Sequence, residues 1–212
     1  MKPKIALFLN HPKCSVQCGN GMMRSLSSHF DFKIFTKHSL ESDFFDEVQM
    51  IAVPGGIGDS DSFDSLMGNH KEKITSFVQN GGKYLGICMG AYWADKNYFG
   101  MLKHSRAVQY ITRPNTDTHR PHAKDMSVTW ESKPMNMFFY DGCAFTGNDF
   151  DVVATYPNGD PMAIIQDNLA LIGCHPEADK HWYDMYSWMK PKWHGGQHDL
   201  LRDFVVNFFE NT

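Results

Sequence analysis

The chain has no run of about 18 apolar residues, so it offers no candidate membrane-spanning helix. Met1 to Asn10 holds too short an apolar stretch for a signal peptide and ends in polar residues, which predicts a cytoplasmic protein. Charge of one sign is also missing. Twenty Lys and Arg stand against 24 Asp and Glu, a net charge of −4, so there is no basic footprint for nucleic acid. Cysteine is sparse and odd in number, five in 212 residues, which favours reduced thiols over a disulfide framework. Internal repeats, low-complexity tracts and an interdomain linker are absent, and the length suits a single domain over residues 1–212. Metal-ligand spacing is equally poor. Cys14 and Cys18 with His11 lack a second ligand pair, and the glycines between His194 and His198 oppose a helical pair, so no metal and no cofactor are expected.

What is there lies in three short segments. Tyr84-Leu-Gly-Ile-Cys-Met-Gly90 is an apolar strand ending in a Gly-x-Cys-x-Gly turn. Gly86 and Gly90 permit a sharp strand-to-helix turn that leaves Cys88 pointing outward, as in the Gly-x-Ser-x-Gly turn of hydrolases. Amides at the start of the following helix would stabilise negative charge on the sulfur or on an oxyanion. Leu169 to Cys174 is a second apolar run, delivering His175-Pro176-Glu177 at its end. Pro176 holds the backbone extended, so His175 and Glu177, two residues apart, fall on one side and can touch. A thiol needs a base, and the base needs a carboxylate to hold its tautomer; Cys88, His175 and Glu177 supply one residue for each role. The third segment, Val48 to Val53 followed by Pro54-Gly55-Gly56-Ile57-Gly58, is a strand entering a glycine-rich loop. One of its N–H groups could complete an oxyanion hole with that of Met89.

Short apolar runs alternate with helical patterns through residue 96. The strands are expected at Ile5 to Leu9, Phe32 to Phe35, Val48 to Val53 and Tyr84 to Ile87, and the helices near 21–29, 69–80 and 89–96. This predicts βαβ units in an α/β fold, a mostly parallel sheet with helices on both faces and ligands at the carboxyl ends of the strands. After residue 105 short strands near 107–112, 126–131, 136–140, 151–156, 162–166 and 169–174 predict a β-rich second half that returns to the main sheet.

Pro-Gly-Gly, then Gly-x-Cys-x-Gly, then His-Pro-Glu, each after a strand, resembles the class I glutamine amidotransferase-like superfamily with its flavodoxin-like sheet. Within it the chain is most similar to the biotin–protein ligase N-terminal-domain family. That similarity continues through Phe77 to Tyr92, Phe139 to Phe145 and Val152 to Ala163, so that it covers most of residues 50 to 180. It implies a Cys-dependent amide hydrolase with Cys88 as nucleophile, His175 as base and Glu177 as its orienting carboxylate. The N–H groups of Gly56 and Met89 would bind the oxyanion, and Gly55 and Tyr92 would line the site for a small-molecule amide. Amidotransferases usually carry Gln four residues after the nucleophile, where this chain has Tyr92, which argues against free glutamine as substrate. The resemblance imports no biotin transfer, because the ligase's catalytic domain needs more chain. Nothing resembles an ATP-binding domain, so ammonia released by such an enzyme would pass to a separate synthetase partner. A non-catalytic metabolite-binding or regulatory module is the alternative, and a relative of the stress-response cysteine hydrolases and deglycases is a weaker one. The sequence leaves the oligomeric state open.

Four further segments carry weaker expectations. Residues 10 to 22 read as a polar loop facing the site, with Cys14, Cys18, Cys143 and Cys174 as structural thiols. Arg113 to Lys124 reads as a solvated loop, or a lid in which Arg113, His119, Arg120 and His122 hold an anion. Trp182, Met185, Tyr186 and Met189 fall at helical spacing and predict one packed face, while Trp188 and Trp193 lie off it at a pocket rim or partner surface. Asp199 to Phe209 predicts a packing helix.

Overall fold

The structure, a computed structural model, describes residues 2–38 and 44–211. Its first half runs β1 (Lys4–Phe8), α1 (Val16–Leu26), β2 (Asp31–Phe35), β3 (Met50–Val53), α2 (Ser60–Met67), α3 (Lys71–Gln79), β4 (Lys83–Ile87) and α4 (Met89–Trp93). The second half runs β5 (Ser105–Gln109), β6 (Lys124–Trp130), β7 (Lys133–Phe139), β8 (Cys143–Gly147), β9 (Asp151–Thr155), β10 (Pro161–Gln166), β11 (Leu169–Ile172), α5 (Lys180–Asp184) and α6 (Gly196–Asn211).

Nine strands form one sheet in the order β2-β1-β3-β4-β11-β10-β9-β6-β7, and β5 pairs with β8 beside it. From β2 to β11 the neighbours are parallel; from β11 outward they are antiparallel. Parallel strands need helical crossovers that cover both faces, and the burial of β1 shows the result. Ile5 and Leu7 face a core closed by Met22 and Leu26 of α1 and Leu201 and Phe204 of α6. Ala6 and Phe8 face the opposite core, closed by Phe63 of α2, Ile74 of α3 and Trp93 of α4. The α/β fold with helices on both faces and a β-rich second half is therefore as the sequence predicts. No helix among the described residues is long and apolar enough to cross a membrane.

Several local expectations need correction. Residues 16–22 belong to α1, whose N-cap Ser15 accepts from the Cys18 N–H, so only the stretch before Val16 is loop. The helix expected over 69–80 starts at Lys71, and α2 precedes it with Asp59 as N-cap. β8 joins the expected strands. The stripe from Trp182 to Met189 is no continuous helix, since α5 ends at Asp184; Trp182 and Met189 are buried while Met185 is exposed. Gly196 begins α6 rather than preventing it. His194 and His198 accordingly do not act as a pair: His194 meets the carbonyl of Asn136 and His198 that of Ala178.

Candidate active site

Because β1, β3, β4 and β11 are parallel, the segments following them emerge at one end of the sheet, where ligands bind in such folds. Those segments hold Cys14 and Cys18, the Pro54 to Gly58 loop, Cys88, and His175 to Glu177.

Cys88 lies between β4 and α4 at φ 50° and ψ −103°, a conformation that costs a non-glycine residue about 1–3 kcal/mol. Its surroundings hold it there. The Cys88 N–H donates to the Ile172 carbonyl at 2.8 Å, and the Gly90 N–H to that of Pro54 at 3.2 Å. A Cβ on Gly90 would collide with the Val53 carbonyl, so α4 can start this close to β3 only with glycine at that position. Cys88 as a residue is 7% exposed, whereas Cys14, Cys18, Cys143 and Cys174 are wholly buried.

His175 Nδ1 meets Glu177 Oε1 at 2.8 Å, the contact expected of the pair, but the backbone is not extended there: Pro176 and Glu177 form a turn closed by the Ala178 N–H donating to the His175 carbonyl at 3.2 Å. Its backbone N–H donates to the Phe138 carbonyl at 2.8 Å, and the rings of Phe138 and Trp182 wall the imidazole. Burial by itself would lower the pKa of His175. The charge of Glu177 and the charge and hydrogen bond of Cys88 outweigh it, pushing the imidazole up to about 10. With Nδ1 taken by Glu177, Nε2 is left for the thiol. The structure thus brings Cys88, His175 and Glu177 together.

Cys18 joins them, a contact that the reading of it as a structural thiol missed. Its S–H donates to Glu177 Oε1 at 2.6 Å, and its sulfur accepts the Gly55 N–H at 2.9 Å. Burial, and then the Glu177 charge, push the Cys18 thiol well up, so it stays protonated and remains a donor. One carboxylate oxygen therefore accepts from both His175 and Cys18, while Glu177 Oε2 is buried without a protein partner. The ligating atoms of Cys18, His175 and Glu177 lie within 4.8 Å of one another, close enough to hold a metal ion, yet their mutual hydrogen bonds already account for the arrangement. The i, i+2 spacing of His175 and Glu177 was legible in the sequence; the approach of Cys18 across 159 positions had no local signal.

Gly55 and Gly56 part company. Gly55 packs against the base: a Cβ there would come within 2.8 Å of His175 Cε1, and its N–H is engaged by Cys18. Gly56 instead lines a cavity of about 450 Å³ with Cys88, Met89 and Tyr92. The N–H groups expected to bind an oxyanion thus belong to residues beside the thiol, while Gly55, expected to line the substrate site, sits behind it. Tyr92 reaches across the cavity and donates from its hydroxyl to the Asp141 carbonyl at 3.2 Å. Of the residues in the 113–124 loop that could hold an anion, Arg113 is paired with Asp160 at 2.8 Å and His122 Nδ1 meets the Arg120 carbonyl at 2.9 Å, while Lys124 pairs with Asp117 inside the same loop.

The fold recurs among amidotransferases. A glutamine amidotransferase from Thermotoga maritima superposes over 100% of both chains with a TM-score of 0.69 at 12% identity. PurLQS from the same organism gives 0.66 at 14% identity over 97% of this chain and 99% of its own. A putative GMP synthase component from Thermoplasma acidophilum gives 0.59 at 14% identity over 97% and 98%. The protein has the class I glutamine amidotransferase-like fold. Residues 10–109 match the sequence model of the family described as biotin-protein ligase, N terminal, which spans the Gly55 loop and the Cys88 turn. No curated protein matches the sequence.

Proposed function

We propose that this protein is a cysteine-dependent amide hydrolase of the amidotransferase type, acting as a single domain in the cytoplasm. The observation that carries the reading is Cys88, held in a strained strand-to-helix turn against a buried imidazole that Glu177 orients at 2.8 Å. A buried, paired imidazole with its pKa near 10 keeps a proton beside the sulfur at neutral pH. Cys88 Sγ attacks the amide carbon, and the oxyanion that forms is stabilised by the N–H groups of Gly56 and Met89. Collapse breaks the carbon–nitrogen bond as His175 Nε2 gives its proton to the departing nitrogen, leaving a thioester. Water then attacks the thioester carbon, gives its proton to His175 and releases the carboxylic acid and the thiolate.

Where ammonia is the departing group, a synthetase is the natural recipient. The similarity in fold to PurLQS and to a GMP synthase component supports that partnership. A second reading, a metabolite-binding module without turnover, is favoured by one observation: the Tyr92 ring and its hydrogen bond to Asp141 occupy part of the cavity. Ammonia release from a panel of primary amides, with Cys88→Ala as control, separates the two. Turnover lost by at least about 10³-fold in Cys88→Ala is expected of the hydrolase. Equal background rates in both proteins, or preferential alkylation of Cys14 or Cys18 by iodoacetamide with Cys88 untouched, would overturn it.

A further inference from the structure

The cavity beside Cys88 is built from an unusual set of hydrogen-bonding groups, and its inventory of donors is the informative part. An amino-acid carboxylate such as that of glutamine needs a cation or several free N–H and O–H donors. Among the described residues, no Lys, Arg or His lines this cavity. Three of its side chains donate to the protein itself. Tyr92 donates to the Asp141 carbonyl, Tyr98 to the Gly58 carbonyl at 3.0 Å, and the Gln109 amide to the Asp141 carboxylate at 3.1 Å.

The acceptors are in the opposite condition. Asp141 stands at φ 54° and lines the cavity, its carboxylate oxygens accepting only from the neutral Gln109 amide among the described residues; burial raises its pKa and Gln109 opposes that. Asp59 lines the same cavity and N-caps α2, its Oδ1 accepting the Ser62 N–H at 2.7 Å. Nearby bases are committed outside. Arg106 pairs with Asp95 at 2.8 Å, and Lys13 bonds Ser65 at 3.0 Å, acting on Asp59 only as the least of the influences on it. The rings of Tyr92, Tyr98 and Tyr140 complete the lining, and aromatic faces attract cations as carboxylates do.

We infer that the site is specific for amides whose remote end carries an ammonium or guanidinium group and no carboxylate, with Asp141 as the main contact and Asp59 as the second. The inference rests on the hydrolase reading for the word amide, and on the cavity alone for the charge. A positive group there meets two carboxylates whose hydrogen-bond partners are neutral, and a carboxylate meets the same two like charges with no cation among the described lining residues to offset them.

The charge can be read without turnover. Cys88 is the one cysteine that is not wholly buried and it lines the cavity, so its modification is followed with two methanethiosulfonates of similar size, the cationic trimethylammonioethyl and the anionic sulfonatoethyl reagents, each normalised to its rate with a free small thiol. We expect the cationic reagent to be favoured by about tenfold or more. Asp141→Asn should cut that ratio several-fold, since Asn is tolerated at positive φ and removes only the charge. Asp59→Asn should cut it less and still cap α2. A normalised ratio near one, or a ratio unchanged in both variants, would overturn the inference. In parallel, lysinamide, hexanamide and glutamine are compared as substrates, and lysinamide is expected to have the highest kcat/KM and glutamine the lowest. Turnover without that order would overturn the inference while leaving the hydrolase standing. Charge selectivity at Cys88 with no amide turned over would support the inference and sink the hydrolase.

Discussion

The two sides of Cys88 are built on opposite principles. Behind the sulfur, Cys18, His175 and Glu177 are almost wholly buried and saturate one carboxylate oxygen with two donors. In front of it, Tyr92, Tyr98, Gln109 and Asp141 are partly or largely exposed around an open cavity, with carboxylates paired only to neutral groups. The buried side gains rigidity, because in a low-dielectric interior each misplaced donor is costly and one arrangement wins. The open side keeps its polar groups within reach of solvent and of a ligand. The difference separates the part that fixes the chemistry from the part that selects what undergoes it.

That division is most severely tested by Glu177→Gln. If the buried side sets the chemistry, amide hydrolysis falls by about 10²–10⁴-fold, as expected when the group orienting the base loses its charge. The same substitution has a pH signature. In the folded protein His175 titrates near 10, above its ordinary 6.5, so it contributes stability that is fully present below about 6.5 and is lost as pH rises through about 10. Without the Glu177 charge the folded pKa falls and that loss moves to lower pH. Melting temperature followed from about pH 6 to about pH 10.5 shows the shift; identical profiles would mean that Glu177 does not hold the imidazole.

A smaller effect is expected from Cys18→Ala, which strands the Gly55 N–H and removes a donor from Glu177. Leaving such a buried group unpaired costs about 1–3 kcal/mol. At about 2–4 °C for each kcal/mol, the loss is visible in thermal unfolding. Cys18→Ser retains a donor and an acceptor and should recover most of it. Equal losses in the two variants would reduce Cys18 to a packing residue and break the picture of two donors converging on Glu177 Oε1.

Tyr92→Gln, on the open side, should cost a modest amount of stability, since it removes a part-buried hydrogen bond worth about 0.5–1.5 kcal/mol and the packing of a half-buried ring. Glutamine hydrolysis should rise from a low base by roughly tenfold, the scale on which one contact alters selectivity. Efficient glutamine hydrolysis by the unaltered protein, with no change in the variant, would show that Tyr92 does not set specificity.

The legible parts of this protein are those where local pattern and tertiary need coincide. Met50 to Val53 and Tyr84 to Ile87 are runs of hydrophobic residues and glycine because central parallel strands are covered on both faces, and both lie in the sheet core. α2 escaped notice because Ser60-Asp-Ser-Phe-Asp-Ser-Leu-Met67 is rich in turn-forming residues and shows only one short apolar face, Phe63, Leu66 and Met67. The stripe from Trp182 to Met189 misled for the opposite reason. Its spacing is helical, yet Trp182 is drawn to the imidazole of His175 and the backbone leaves the helix after Asp184.

By itself the sequence determined the alternation of strands and helices, the glycine-flanked turn at Cys88, and the pairing of His175 with Glu177, since each depends on residues only a few positions apart. Tertiary structure alone decided that Cys18 would donate to Glu177, that Gly55 would pack behind the base while Gly56 lined the cavity, and that Asp141 would face Tyr92 with no cation beside it. Those contacts join segments dozens of residues apart, and only the closing of the parallel sheet brings the ends of its strands to one place.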